Sequence, residues 1–329
     1  MNKENILEID GLCVEFDIEA CRVRAVDDVG FQLKKGSTLG IAGESGCGKT
    51  ITALSIIRLL PKPVSRIVRG RVMFHGQDLL TLSKNEMHRI RGRKISMIFQ
   101  EPMTALNPVH SIGKQMTEIH ELHFPGLSHK ERGTASVKML EKVGISDPET
   151  VMKKYPHQLS GGMRQRVMIA MSLSCKPDIL IADEPTTALD VTVQAQILDL
   201  IRVLKQESGM SVILITHDLG VIAENCDDIV VMYAGKIIEK ADVRDLFRHP
   251  CHPYTKGLLA SIPSLAKKPK IMLPTIPGNV PSLMSMPGGC RFQDRCPLAA
   301  DVCRNTEPKE QRMGKNHVVS CHMAGKQGL

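Results

Sequence analysis

Two hydrophobic rhythms divide the chain. Near the N-terminus apolar and polar residues alternate, and residues 6–9, 12–16 and 29–33 each read as half-buried strands with turns between them. Further on, the runs at 39–42, 95–100, 179–184 and 211–216 are mostly apolar, as in strands covered on both faces, and the second and third end in a polar amide and in two carboxylates. Between them lie stretches with helical spacing: 51–60, 83–91 with Ser83 as cap, 111–143 with Gly144 as stop, 164–174 and 191–207. Residues 69–78 read as a strand closing in a turn. Residues 229–232 and 236–239, joined through Tyr233-Ala234-Gly235, read as a hairpin. Pro102, Asn107 and Pro108 break the chain, and 153–158 is a connector. There is no internal repeat. Buried strands alternating with helices predict an α/β fold.

Composition narrows the class. A length of 329 residues allows one large α/β domain with an extension, or two modest domains. Hydrophobic residues at 42% support a proper core. No apolar run approaches a membrane-spanning length, and the start, Met1-Asn2-Lys3-Glu4-Asn5, lacks signal-peptide character, so a cytoplasmic location is expected. The net charge of +8 is unevenly placed: residues 241–329 hold 13 basic and 6 acidic residues, against 30 and 29 in residues 1–240. A basic tail suits nucleic acid, anionic lipid, a solvated face or a negative cofactor. Aromatics at 3%, with no Trp, leave few platforms for stacking on single-stranded nucleic acid.

The chemistry concentrates in Gly43-Glu44-Ser45-Gly46-Cys47-Gly48-Lys49-Thr50, which fits the G-x-x-x-x-G-K-[ST] phosphate-binding loop. Glycines let the backbone turn tightly and bring its N–H groups to the phosphates. Lys49 supplies a point charge, and the Thr50 hydroxyl can ligate Mg²⁺. A buried strand before and a helix after complete the context. Asp183 and Glu184 end the apolar run 179–184; carboxylates there are costly unless they serve a cation, as the Mg²⁺ partner of such a loop does. Phe16 is placed either to stack on an adenine or to pack in its sheet. Cys47, beside Lys49 and a helix N-terminus, is expected to favour its thiolate, although for the mechanism it reads as a small filler.

The order of parts — phosphate loop, Gln100, Leu159-Ser160-Gly161-Gly162-Met163, the 179–184 run, Asp190, His217 — resembles an ATP-binding-cassette (ABC) ATPase over about residues 6–240. Met163 departs from the Gln of many relatives. The resemblance implies two ATPase domains paired head to tail. ATP is held by Lys49, Thr50 and their loop in one chain and by Ser160, Gly161 and Gly162 of the other. Gln100 and Asp183 help hold Mg²⁺, Glu184 acts as general base, His217 contacts the γ-phosphate and Asp190 links the two sites. The segment after Gln100, through Asn107-Pro108, and the stretch from His252-Pro253-Tyr254-Thr255 to Pro263 narrow the resemblance to ATPase subunits of bacterial dipeptide/oligopeptide importers. It then implies ATP-driven import through two separate permease subunits, which dock on the helical segment. A second homologous ATPase forms a heterodimer with this one, and a solute-binding protein acts indirectly. The site is peripheral, on the cytoplasmic face of the inner membrane. The alternatives are transport of nickel or another small solute, and a soluble ABC ATPase acting on nucleic acid; with one cassette and no DNA-handling insertion, no nucleic-acid partner is expected. The expected architecture is an α/β ABC-type core, 1–240, with an antiparallel β subdomain and an inserted helical subdomain at about 101–162. A small irregular metal-binding extension, 241–329, follows.

Four of the ten cysteines fall in the last forty residues. Cys290, Cys296, Cys303 and Cys321 read as C-x₅-C-x₆-C-x₁₇-C, wider than zinc-finger spacing. All-thiolate ligation and the Cys296-Pro297 step suit a [4Fe–4S] cluster, which some peptide-importer ATPases resembling this chain carry at this place. Zn²⁺ is the alternative, including a Cys₃His site with His317 or His322. Arg291, Arg295, Arg304, Arg312 and Lys315 are expected to offset the cluster's negative charge.

Overall fold

A computed structural model describes residues 4–18, 21–100, 105–187, 190–262 and 274–325. The chain forms two compact units, Met1–Thr81 with Leu214–Leu329, and Leu82–Ile213. Met103 and Thr104, like the break expected at Pro102 and the end of the 252–263 stretch, lie outside the described residues.

In the first unit β1 (Asn5–Ile18) and β2 (Cys21–Lys34) pair antiparallel, with Leu12 opposite Val29 and Phe16 opposite Val23. The separate short strands expected at 6–9 and 12–16 are one strand. Bulges between Ile9 and Leu12 shift its register, and Gly11 supplies the positive φ (58°) there, so the alternation changes phase without the strand ending. β3 (Thr38–Ala42) is wholly buried and leads into the phosphate loop. α1 (Lys49–Ile56) begins and ends earlier than the expected 51–60; Arg58 takes a φ of 54°, which stops the helix. β4 (Ser65–Phe74) and β5 (Gln77–Asp78) complete an antiparallel sheet of order β2-β1-β4-β5.

The second unit starts with α2 (Lys84–Ile90), capped reciprocally by Ser83 and Glu86, and β6 (Ile95–Ile98). The helical run expected over 111–143 is two helices, α3 (Ile112–His123) and α4 (His129–Lys142). Pro125-Gly126 separates them, and a second capping box, Ser128 with Glu131, restarts the helix. Gly144 takes the left-handed φ (79°) expected of a helix stop. α5 (Pro148–Lys153), with Asp147 as cap and Pro at its first position, precedes the connector. α6 (Gly161–Leu173) starts three residues before the expected 164, β7 (Ile179–Asp183) and α7 (Val191–Ser208) follow as expected, and β8 (Ser211–Ile215) ends in residues of the first unit. β7 runs parallel to β6, Ile98 opposite Ala182.

Back in the first unit, α8 (Leu219–Asn225) precedes the hairpin of β9 (Asp228–Tyr233) and β10 (Lys236–Asp242). Its turn residues Ala234 and Gly235 have φ of 46° and 83°, the twist a two-residue hairpin needs. β9 lies parallel to β3, Ile41 opposite Val230. Then come α9 (Val243–Arg248), α10 (Pro253–Ala260), α11 (Asp301–Asn305), β11 (Glu310–Arg312) and β12 (Val318–Ser320). β12 pairs with β10, Val319 opposite Glu239, so the tail extends the sheet edge. Tyr254 and Phe292 of the tail share one buried cluster with Ala42, Val231 and Tyr233.

Candidate nucleotide-binding site and four-cysteine segment

The phosphate loop follows from its glycines. Gly43 has a φ of 148°, and a Cβ there would stand 2.3 Å from the Met232 carbonyl oxygen; at Gly48, φ 101°, it would meet the Ala25 carbonyl oxygen at 3.0 Å. Gly46 has open space around it and needs glycine only for its φ of 78°. α1 starts at Lys49 with Gly48 as its cap and no side-chain cap bond, so the first-turn amides keep their capacity for an anion. Lys49 is buried, and its Nζ donates to the carbonyls of Gly43 at 2.7 Å and Glu44 at 2.9 Å. Ser45 is exposed and Thr50 half-buried.

Cys47 corrects an expectation. Burial raises its thiol pKa against the pull of Lys49, and the side chain is 0% exposed. It is a packed thiol, since desolvation of a thiolate outweighs one nearby ammonium. Phe16 is half-buried in β1, its backbone opposite Val23 and Ser65. His217 is exposed just beyond β8, before Asp218 caps α8.

Within the second unit, Asp183 ends β7 at 1% exposure. Glu184 follows with a φ of 45°, unusual for a side chain of its size. Its Oε2 accepts from Gln100 Nε2 at 3.2 Å and from Thr187 Oγ1 at 2.9 Å. The next turn is held by Gln165, whose Nε2 donates to the Pro185 carbonyl at 2.5 Å. Thr187 and Gln165 were not legible as site residues, although both flank motifs that were. Ser160 caps α6 through its Oγ, which accepts from Met163 N at 3.3 Å, while Gly161 is exposed and Gly162 half-buried. Asp190 is exposed and caps α7, its Oδ1 accepting from Val193 N at 2.9 Å.

Glu44 is tied to the tail by residues the sequence did not single out. Its backbone N–H donates to Tyr254 Oη at 2.9 Å, and Arg295 donates to its carboxylate from Nη1 at 2.6 Å and Nη2 at 3.0 Å. The expectation that Arg291 and Arg295 serve to offset a cluster's charge is therefore corrected. Arg295 is committed to Glu44, and Arg291 to Asp27 at 2.6 Å and to the Ala234 carbonyl.

Cys290 and Cys296 are half-buried, Cys303 and Cys321 buried. Burial raises the thiol pKa of Cys290, to about 11, and those of Cys296 and Cys321. Neighbouring cysteines push in the same direction: Cys303, Cys321 and Cys296 act on Cys290, Cys321 and Cys303 on Cys296, and Cys303 on Cys321. Backbone amides point at three of the sulfurs: Phe292 at Cys290, Leu298 at Cys296 and Met323 at Cys321, the last at 3.4 Å. Among the described residues no three of these sulfurs lie within 4.8 Å of one another. A cavity of about 420 Å³ is lined by one of them, Cys290, together with Arg291, Lys236, Asp27 and Lys309.

His317 is taken out of any Cys₃His set. Its Nε2 bonds Glu239 Oε1 at 2.7 Å and its Nδ1 bonds Asp245 Oδ2 at 3.1 Å. Glu239, 0% exposed, also accepts from the backbone N–H of Cys251 at 2.6 Å and of His252 at 3.0 Å. Glu239, Cys251 and His317 present ligand atoms within 4.8 Å of one another, but with the Glu239 oxygens and both ring nitrogens so engaged the group is a buried ion pair. His322 bonds the Thr306 carbonyl at 2.8 Å.

Comparison with known proteins agrees with this geometry. Residues 26–187 match the ABC transporter family, and residues 238–303 match the oligopeptide/dipeptide transporter C-terminal region. The chain is 51% identical over 316 residues to a probable peptide ABC transporter ATP-binding protein of Sinorhizobium fredii, covering 96% of this chain and 94% of that one. It is 50% identical over 318 residues to the dipeptide transport ATP-binding protein of Bacillus subtilis, covering 97% and 94%. Among solved structures it is similar to a dimeric ATP-binding cassette in a post-hydrolysis state with ADP and phosphate, with TM-score 0.65, 27% identity, and 72% of this chain and 99% of that one covered. It is also similar to cbiO1 of Clostridium perfringens, part of an ABC transporter complex, with TM-score 0.64, 25% identity, and 75% and 92% covered.

Proposed function

The chain belongs to the ABC transporter family and carries the oligopeptide/dipeptide-type C-terminal region, and from that premise we propose that it is the ATPase subunit of a peptide importer. It hydrolyses ATP to drive uptake of di- or oligopeptides through separate membrane subunits. The observation that carries this is identity of about half over nearly the whole length to a dipeptide transport ATP-binding protein, tail included. Lys49, Thr50 and the amides of the 43–50 loop take the phosphates and Mg²⁺. Gln100 and Asp183 complete the Mg²⁺ ligation, Glu184 takes the proton of the attacking water, and His217 contacts the γ-phosphate. Ser160, Gly161 and Gly162 cover the nucleotide of a paired ATPase, with Asp190 at the pairing surface; the exposure of Ser160, Gly161 and Asp190 supports such a role. Phe16 serves the adenine. Residues 1–240 form the ATPase body and 241–329 the importer-type extension.

Two permeases and a second, homologous ATPase are the partners, with a solute-binding protein acting through the permeases. Among the described residues no helix is long and apolar enough to cross a membrane, which supports peripheral attachment at the cytoplasmic face of the inner membrane. Affinity purification from detergent-solubilised native membranes tests the assignment. Two multi-span proteins and a second cassette ATPase are expected, and binding of peptides to the matching solute-binding protein separates peptide from nickel transport. Recovery with ribosomes or DNA and no membrane protein would overturn it.

The four tail thiols are proposed to hold a [4Fe–4S] cluster. Four-coordinate zinc, with Zn–S bonds of about 2.3 Å, would draw its sulfurs to about 3.8 Å apart. Among the described residues no three of the tail sulfurs lie within 4.8 Å of one another, which suits a polynuclear group better than a single ion. The amides of Phe292, Leu298 and Met323 aimed at sulfur suit thiolate ligands, and so does the mutual electrostatic cost of the thiols, which a cationic core relieves. The cluster would bind Cys290, Cys296, Cys303 and Cys321 together and supply a cross-link.

A further inference from the structure

Every polar group of Glu44 is engaged. Its N–H donates to Tyr254, its carboxylate receives two bonds from Arg295, and its carbonyl receives Lys49 Nζ. Two of these three partners come from the C-terminal extension, and the third is the lysine of the phosphate loop. Arg295 is itself rigidly set. Its Nε donates to the Pro277 carbonyl at 2.8 Å, and its guanidinium lies 5.7 Å from the Tyr233 ring centre and 6.0 Å from that of Phe292. It is 7% exposed and sits in the short turn Gln293–Arg295, directly before Cys296.

A part-buried ion pair adds little stability, because desolvation of the charges offsets much of the attraction. What a bidentate guanidinium–carboxylate pair does supply is fixed geometry. Here it fixes the second residue of the loop, whose carbonyl seats Lys49. The four-cysteine segment thereby acts on the position of the loop that receives the phosphates.

We propose that Arg295 is a positioning residue for the phosphate loop, and that through it the four-cysteine segment sets the affinity for MgATP. The inference rests on the ATPase reading above and adds a route by which the state of the thiols reaches the nucleotide.

The test is calorimetric binding of MgATP to the full chain, with steady-state hydrolysis alongside. Arg295→Ala weakens binding about tenfold and raises KM for ATP more than it lowers kcat. Arg295→Lys restores part of the affinity, since an ammonium reproduces the charge without the two-pronged geometry. Glu44→Ala matches Arg295→Ala, and the double variant is no weaker than the weaker single. Cys296→Ser weakens MgATP binding in the unaltered background and adds nothing to Arg295→Ala. Glu44→Gln, which keeps the side chain's shape and removes only its charge, gives the same reading should Arg295→Ala not fold. Binding within twofold of the unaltered chain for Arg295→Ala or Glu44→Gln overturns the positioning role. Normal affinity in Cys296→Ser, or an additive double variant, overturns the link to the cysteines. Absence of MgATP binding in the unaltered chain would count against the ATPase reading itself, a result distinct from either.

Discussion

At Glu184 the backbone takes a left-handed φ of 45°. A residue of this size takes that conformation only when its surroundings over-determine it. The bonds from Gln100 and Thr187 to its Oε2 and the Gln165 bond to the Pro185 carbonyl are such surroundings. Glu184→Gln keeps the shape and the backbone and loses only basicity. MgATP binding should then change less than about threefold, while hydrolysis falls by about 10²–10⁴. Near-normal turnover in that variant would remove Glu184 from the role of base. Neighbouring residues show how far local chemistry can be trusted. The glycines of the loop behave as their motif requires, because their need is steric and local. Cys47 does not, because its ionisation depends on burial that no neighbour in sequence reveals.

Elements show the same division. Capping boxes at Ser83/Glu86 and Ser128/Glu131 are local devices, and of the first the Ser83 cap was legible. The second falls inside the stretch that reads as one helix over 111–143, where Pro125-Gly126 makes the break that lets Ser128 start a new one. The edge pairing of β12 with β10 was not legible at all. It is held by His317, which is 3% exposed, against Glu239. The bond to Glu239 chiefly, with Asp245, raises the His317 pKa; His317 and the surrounding donors hold that of Glu239 down despite its burial. The raised histidine contributes stability in full below its unfolded value of about 6.5, and the contribution fades as pH rises through the higher folded value. The depressed carboxylate contributes above its unfolded value of about 4.3 and loses that as pH falls. His252 works in the opposite sense to His317. Burial lowers its pKa to about 4, so it costs stability as pH falls below about 6.5. Removing the partner of a buried charge costs about 3 kcal/mol or more. Thermal unfolding of His317→Gln should therefore show its largest deficit between about pH 5 and 6.5 and a narrower one at higher pH. A deficit that grows with rising pH would contradict the protonated pair.

For the whole molecule, the metal content of the tail decides between the two ligand readings. Anaerobically purified protein should be brown, with broad absorbance near ~400 nm and sulfide-bridged iron, and a Cys303→Ser chain should lose most of that colour. Colourless protein with one zinc per chain would overturn the cluster. The candidate nucleotide residues could be picked out because the phosphate-loop motif is built from contiguous residues, and because Gln100, Ser160, Asp183 and His217 each stand in or beside a recognisable run. The inventory of tail cysteines was likewise a matter of composition and spacing. What sequence by itself determined was thus the α/β class, the phosphate-loop motif and the identity of the candidate ligands. Tertiary structure alone decided which residues hold them. Arg295 meets Glu44 across 251 positions of chain, and His317 meets Glu239 across 78. Burial, which governs Cys47 and makes both pairs consequential, is a property of the returning chain, and no local pattern encodes where the chain returns.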